Sequence, residues 1–139
     1  MNPISENLVS GTLGELLVQA RLLCYGVQAA PPLKDSGNDL IAVKGPVMRA
    51  IQVKTTQNFR YVAPRKKSAY HILAVVQLMG EGQFVDFQSS KIYLIPHPLV
   101  HELPREISKI QDWEISRVVE LLFQQPQCAH PQCPKQIVG

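Results

Sequence analysis

The stretch Gly37-Asn38-Asp39-Leu40-Ile41-Ala42-Val43, followed after a break by Ala50-Ile51-Gln52-Val53-Lys54-Thr55, decides how this chain of 139 residues is read. In extended backbone alternate side chains share a face, so Asp39 aligns with Ile41 and Val43, while Gln52 and Lys54 project together from the second run. Ile51 and Val53 point the other way. Gly45-Pro46 supplies turn chemistry between the runs, and a β-hairpin then brings Asp39 near Gln52 and Lys54. Upstream, Glu15 stands in Gly11-Thr12-Leu13-Gly14-Glu15, within a helical pattern. A carboxylate, a second oxygen ligand, a lysine and a helix-borne glutamate are the groups that metal-assisted phosphodiester hydrolysis needs.

These residues, in this order and spacing, resemble the PD-(D/E)xK nucleases, and within them the small branch holding archaeal Holliday-junction resolvases and a cyanobacterial-type intron homing endonuclease. The resemblance runs from about Gly11 to Thr56: a Gly-x-x-Gly-Glu helix, Asp39 after Gly37, then a hydrophobic strand ending in Gln-x-Lys. Two departures stand out. No proline precedes Asp39, and Gln52 holds the position usually given to Glu or Asp. The pattern of elements reads as α/β, with a central mixed β-sheet of about five strands flanked by helices, and the resemblance implies a restriction-endonuclease-like core. It also implies a magnesium- or manganese-dependent DNA endonuclease. Asp39, Gln52, the Val53 carbonyl and Glu15 would serve the metal, and Lys54 the reacting phosphate. The alternative is a nuclease-derived module that binds nucleic acid without cutting it.

Composition fits one small domain, and no apolar run approaches the roughly 18 residues of a membrane span. Nothing at the N-terminus reads as a secretion signal, so the cytoplasm is the expected compartment. The formal net charge of +3 says little about partners, but its distribution says more. Arg60, Arg65, Lys66 and Lys67 crowd one loop after the Gln-x-Lys strand, interleaved with Phe59, Tyr61 and Tyr70. Cations there would meet DNA phosphates and the rings would stack on bases or sugars. Because duplex cleavage attacks two strands, a homodimer or higher symmetric oligomer is expected.

Three cysteines are too few for a disulfide framework. Cys24 reads as a small buried hydrophobe. Cys128 and Cys133 flank His130, but a closed zinc site wants four ligands. Residues 126–139 therefore read as a Pro- and Gln-rich tail after a single domain over 1–125.

Helical spacing of Leu13, Leu16, Leu17, Ala20, Leu23 and Cys24 predicts a first helix to Tyr25, ended by Gly26, with Glu15 opposite that stripe. Val27 to Ala30 reads as a short strand and Lys34 to Asn38 as a turn, where Asp35 is a rival to Asp39. His71 to Leu78 reads as a central buried strand, and Gly80-Glu81-Gly82 as a turn. Phe84 to Phe87 and Lys91 to Ile95 read as separate strands with Ser89-Ser90 between them. A short helix is expected over Leu103 to Ile110, and a last one carries Ile115, Val118, Val119 and Leu122. His71, His97 and His101 are scattered over different segments and receive no catalytic role.

Overall fold

The computed structural model describes residues 4–34, 37–81 and 84–125. Helix α1 spans Glu6–Cys24, and the Ser5 hydroxyl accepts the Leu8 amide to cap it. It ends where Gly26 takes φ +78°, a conformation open to glycine. Five strands follow: β1 Gln28–Ala30, β2 Leu40–Lys44, β3 Val47–Thr56, β4 Ile72–Glu81 and β5 Phe84–Pro96. They form one sheet in the order β1-β2-β3-β4-β5, parallel only between β3 and β4. Helix α2, Ile115–Leu122, closes the described chain. The mixed α/β architecture expected from the sequence is therefore found.

Both helices pack on the same sheet face. Leu17, Val18 and Leu22 of α1 and Ile115, Val118 and Val119 of α2 meet Leu40, Ile51, Val53, Ala74 and Leu94 there. The opposite face is covered over β4 and β5 by the long 57–71 loop and by the 97–113 segment, through Tyr61, Tyr70, Val100, Ile107 and Ile110. Trp113 packs against both cores. Over β2 and β3 this second face is less covered, and Val43 is 41% exposed. Among the described residues no helix is long and apolar enough to cross a membrane.

Several expectations need correction. Leu16, Leu23 and Cys24 are exposed, and the buried face of α1 is Gly14, Leu17, Val18 and Leu22, rotated by about one residue. The cause is Gly14. A Cβ there would collide with Thr55 Oγ1, so the helix settles with its glycine against β3. Phe84 to Ile95 is one continuous strand because polar groups bridge its irregularity. Ser90 is buried, its hydroxyl donating to Asp86 O and accepting Met79 N–H, where the register shifts between Gln77 and Met79. Arg21 holds the same bend, donating to the carbonyls of Phe87 and Ser90. Gly80 and Glu81 extend β4 instead of turning. Leu103 to Ile110 makes only the 3-10 turn Ile107–Lys109, with Pro104 and Arg105 held in irregular backbone that bonds to Tyr61. Asp35, Cys128, His130 and Cys133 lie outside the described residues.

Candidate functional site

Strand β3 outruns β2. Leu40 pairs with Ile51, and the Asp39 amide donates to Ile51 O, after which β2 has no residues left to continue the ladder. At that step Asp39 leaves the ladder. Its carboxylate takes over from the missing strand, with Oδ2 accepting the Val53 amide at 2.7 Å. A strand residue sends its N–H and C=O to the same side, so the Val53 carbonyl opens onto the same notch. Leu40, Ile51 and Val53 lie in the helix-side core, so strand alternation turns Gln52 and Lys54 to the opposite face, while Asp39 fills the sheet edge at Val53. Gln52 pairs in register with Leu73 and Lys54 with Val75, both buried, so apolar neighbours back the two polar side chains.

Gln52 Oε1 is buried and has no hydrogen-bond partner among the described residues. An orphaned buried acceptor costs on the order of 1–3 kcal/mol, a cost that a ligand offsets. Asn38 Oδ1, next in the chain to Asp39, is orphaned in the same way. Glu15 comes from α1, held against the far end of β3 by the contact of Gly14 with Thr55. Burial, and then the charge of Asp39, push the Glu15 carboxyl above its ordinary range.

The described residues contain no group of three His, Cys, Asp or Glu side chains placed to hold a metal. The candidate set is different in kind: two carboxylates, one amide oxygen and one peptide carbonyl. All are hard oxygen donors, which suit magnesium or manganese and not zinc. The orphaned Gln52 oxygen fits such an ion.

The basic loop is mixed. Arg65, Lys66 and Lys67 are exposed and form no ion pair among the described residues, whereas Arg60 lies 3.9 Å from Glu106. Tyr61 and Tyr70 are not available for stacking, being buried in the second core, while Phe59 is 79% exposed. Sequence reasoning also missed that His71, His97 and His101 gather at one end of the sheet. Their separation along the chain hid this, since the parallel β3–β4 register and the return of β5 bring them together.

No family model matches the sequence, and no curated protein matches it. The structure is similar to that of a bacterial homing endonuclease, I-Ssp6803I, with a TM-score of 0.59 and 17% identity, covering 86% of this chain and 91% of the other. At that identity the likeness is one of fold: the two chains share the five-stranded mixed sheet backed by helices.

Proposed function

We propose that the protein is a divalent-metal-dependent DNA endonuclease of the PD-(D/E)xK type in its Gln-x-Lys form. The observation that carries this reading is the orphaned Gln52 oxygen, one residue along β3 from the amide that Asp39 holds and on the face that also bears Lys54. The shared fold with a homing endonuclease supports it. Asp39, Gln52, the Val53 carbonyl and Glu15 would hold Mg²⁺ or Mn²⁺. When bound, such an ion polarises a phosphoryl oxygen and acidifies water.

The chain's own groups do the rest. Lys54 places a compact ammonium where it orients the attacking water and offsets charge growing on the phosphorane. Asp39 divides its work, one oxygen fixing the Val53 amide and the other serving the ion. Glu15, with its raised proton affinity, holds or releases a proton at the helix side. Arg65, Lys66 and Lys67, with Arg60 more weakly, bind DNA phosphates, and a homodimer or higher symmetric oligomer pairs two sites for duplex cutting.

The test is incubation with plasmid, linear and branched DNA in magnesium or manganese. Cleavage is expected from the wild type and is lost in Asp39→Asn and Lys54→Ala, while both variants still bind DNA without metal. If the wild type cuts none of these forms but binds them, a non-cutting nucleic-acid-binding module replaces the nuclease.

A further inference from the structure

Val9, Leu13, Leu16, Ala20 and Leu23 follow one another along α1 at alternating steps of four and three residues. That is the spacing of a coiled-coil seam, the a and d positions of successive heptads. At about 100° per residue they form one stripe, on the side of the helix away from the fully buried Val18 and Leu22. Val9, Leu16, Ala20 and Leu23 are exposed, and Leu13 is half-buried. Apolar periodicity marks this stripe as core, yet the contact of Gly14 with Thr55 turns it outward. Helix α1 is therefore apolar on both sides, whereas a helix that borders solvent carries polar groups on its outer side. Between Asn7 and Cys24 its charges are Glu15 and Arg21, each about 120° round from the stripe, on opposite flanks.

Those two flanks differ in kind. On one, Arg21 ties the helix to the carbonyls of Phe87 and Ser90, and Ile4, Val9, Leu13 and Val85 wall a groove of about 370 Å³ in which Glu6 is the one charged lining residue. Val85 belongs to the two-stranded ribbon that β4 and β5 form over 79–81 and 84–86, and Phe84 and Phe87 are exposed on either side of it. The other flank is polar. It carries Thr12, Glu15 and Gln19, on the side of the notch.

We propose that the outer face of α1 is the contact between two copies of this chain, the helices packed antiparallel across a two-fold axis with the β4–β5 ribbons closing one side. The proposal gives a surface to the symmetric oligomer of the nuclease reading, and it rests on that reading for what the pairing achieves. Laid antiparallel, the stripe matches itself: Leu13 of one copy lies over Leu16 of the other, and Val9 over Ala20. No charge sits in the seam, so a copy meets no like charge there despite the net charge of +3. A two-fold axis in the contact also sets like flank against like flank. Apolar ribbon then meets apolar ribbon, and both Glu15 flanks stay together on the far side, where one duplex reaches both notches. The helix alone is too small a contact: about 28 Å long and packed at about 10 Å, it offers a strip on the order of 300 Å² per copy, against roughly 800 Å² per partner in a stable interface. Phe84 and Phe87, aromatic side chains of a kind that bury about 150–250 Å² each when fully covered, close much of that gap.

The experiment is sedimentation velocity across the micromolar range, without metal or DNA. The wild type is expected to be a dimer. Leu16→Lys and Ala20→Glu each put a charge into the seam at an exposed position, and each should weaken self-association roughly a thousand-fold, because two-fold symmetry counts the change twice. Circular dichroism should show the fold intact. Leu8→Lys is the control: Leu8 is 59% exposed against 54% for Leu16, but it lies about 100° off the stripe, so this variant should stay dimeric. On plasmid with magnesium, Leu16→Lys should nick where the wild type linearises. A monomeric wild type, a Leu16→Lys variant that stays dimeric, or a Leu8→Lys variant that dissociates as readily overturns the seam, whatever the DNA assays give. A dimer that Leu16→Lys breaks, in a protein that cuts no DNA, keeps the seam and removes the nuclease reading.

Discussion

Asp39 Oδ2 accepts the Val53 amide at the point where β2 ends, so a side chain completes a ladder that backbone has abandoned. Removing that acceptor and removing its charge are therefore separable. Asp39→Ala leaves the Val53 amide without its partner and is expected to lower stability by about 1–3 kcal/mol. Asp39→Asn keeps an acceptor, so its loss in chemical denaturation should be smaller, while cleavage is abolished in both. Equal destabilisation by the two substitutions would show that the carboxylate, not the hydrogen bond, holds the strand end.

Glu15 has a carboxyl raised by burial and by Asp39, so the folded state binds its proton more tightly than the unfolded chain does. The contribution to stability is then greatest below the unfolded value and is lost as pH rises through the folded one. Glu15→Gln carries no such loss. The melting temperature of the variant should match the wild type near pH 4 and exceed it progressively above the ordinary glutamate value of 4.5. Cleavage by the variant should fall. A melting difference that shrinks with rising pH would contradict the raised Glu15 carboxyl.

Gly14 and Thr55 form a testable pair. Gly14→Ala drives a methyl into Thr55 Oγ1 and should cost about 1–3 kcal/mol, with a drop in activity as α1 and Glu15 back away from β3. Thr55 Oγ1 is itself buried and has no partner among the described residues, so Thr55→Ala alone should be near neutral or stabilising. In the double variant most of the loss should be recovered. Additive effects in urea denaturation would mean that the close approach is not what Gly14 provides.

Gln52→Glu restores the commoner anionic ligand at nearly constant shape. Metal affinity measured by titration calorimetry should rise, because a negative charge replaces a neutral oxygen. Turnover follows the balance between that gain and repulsion of the phosphate. Unchanged affinity would place the ion away from Gln52.

Replacing Arg65, Lys66 and Lys67 together with alanine should weaken DNA binding across sequences and lower the salt slope by about 0.9 for each phosphate that the side chains had neutralised. The melting temperature should hold, since all three side chains are exposed. An unchanged slope would assign the grip elsewhere.

The hairpin of β2 and β3 was legible in the sequence because two apolar runs alternate around Gly45-Pro46, and the same alternation turns Gln52 and Lys54 to one face. The buried β4 was legible as a continuous apolar run. Helix α1 was found but its face was not: a glycine carries no weight in apolar periodicity, yet Gly14 lies at the closest contact, and Arg21 on that side is polar by type while structural by use. Ser89-Ser90 looked like a break because sequence alone does not show a hydroxyl satisfying a bulge. The grouping of the histidines depends on the pairing of distant strands, which local spacing does not encode.

The overhang of β3 beyond β2 also bears on solubility. An uncovered strand edge is a template for pairing with another chain. Here Asp39 occupies the Val53 amide, and the next residue facing that side, Thr55, lies under Gly14 of α1. The groups that shape the notch thus also guard it against strand addition by a neighbouring molecule. Variants that empty it, Asp39→Ala above all, free a β-edge and should aggregate on warming at temperatures where the wild type stays dispersed.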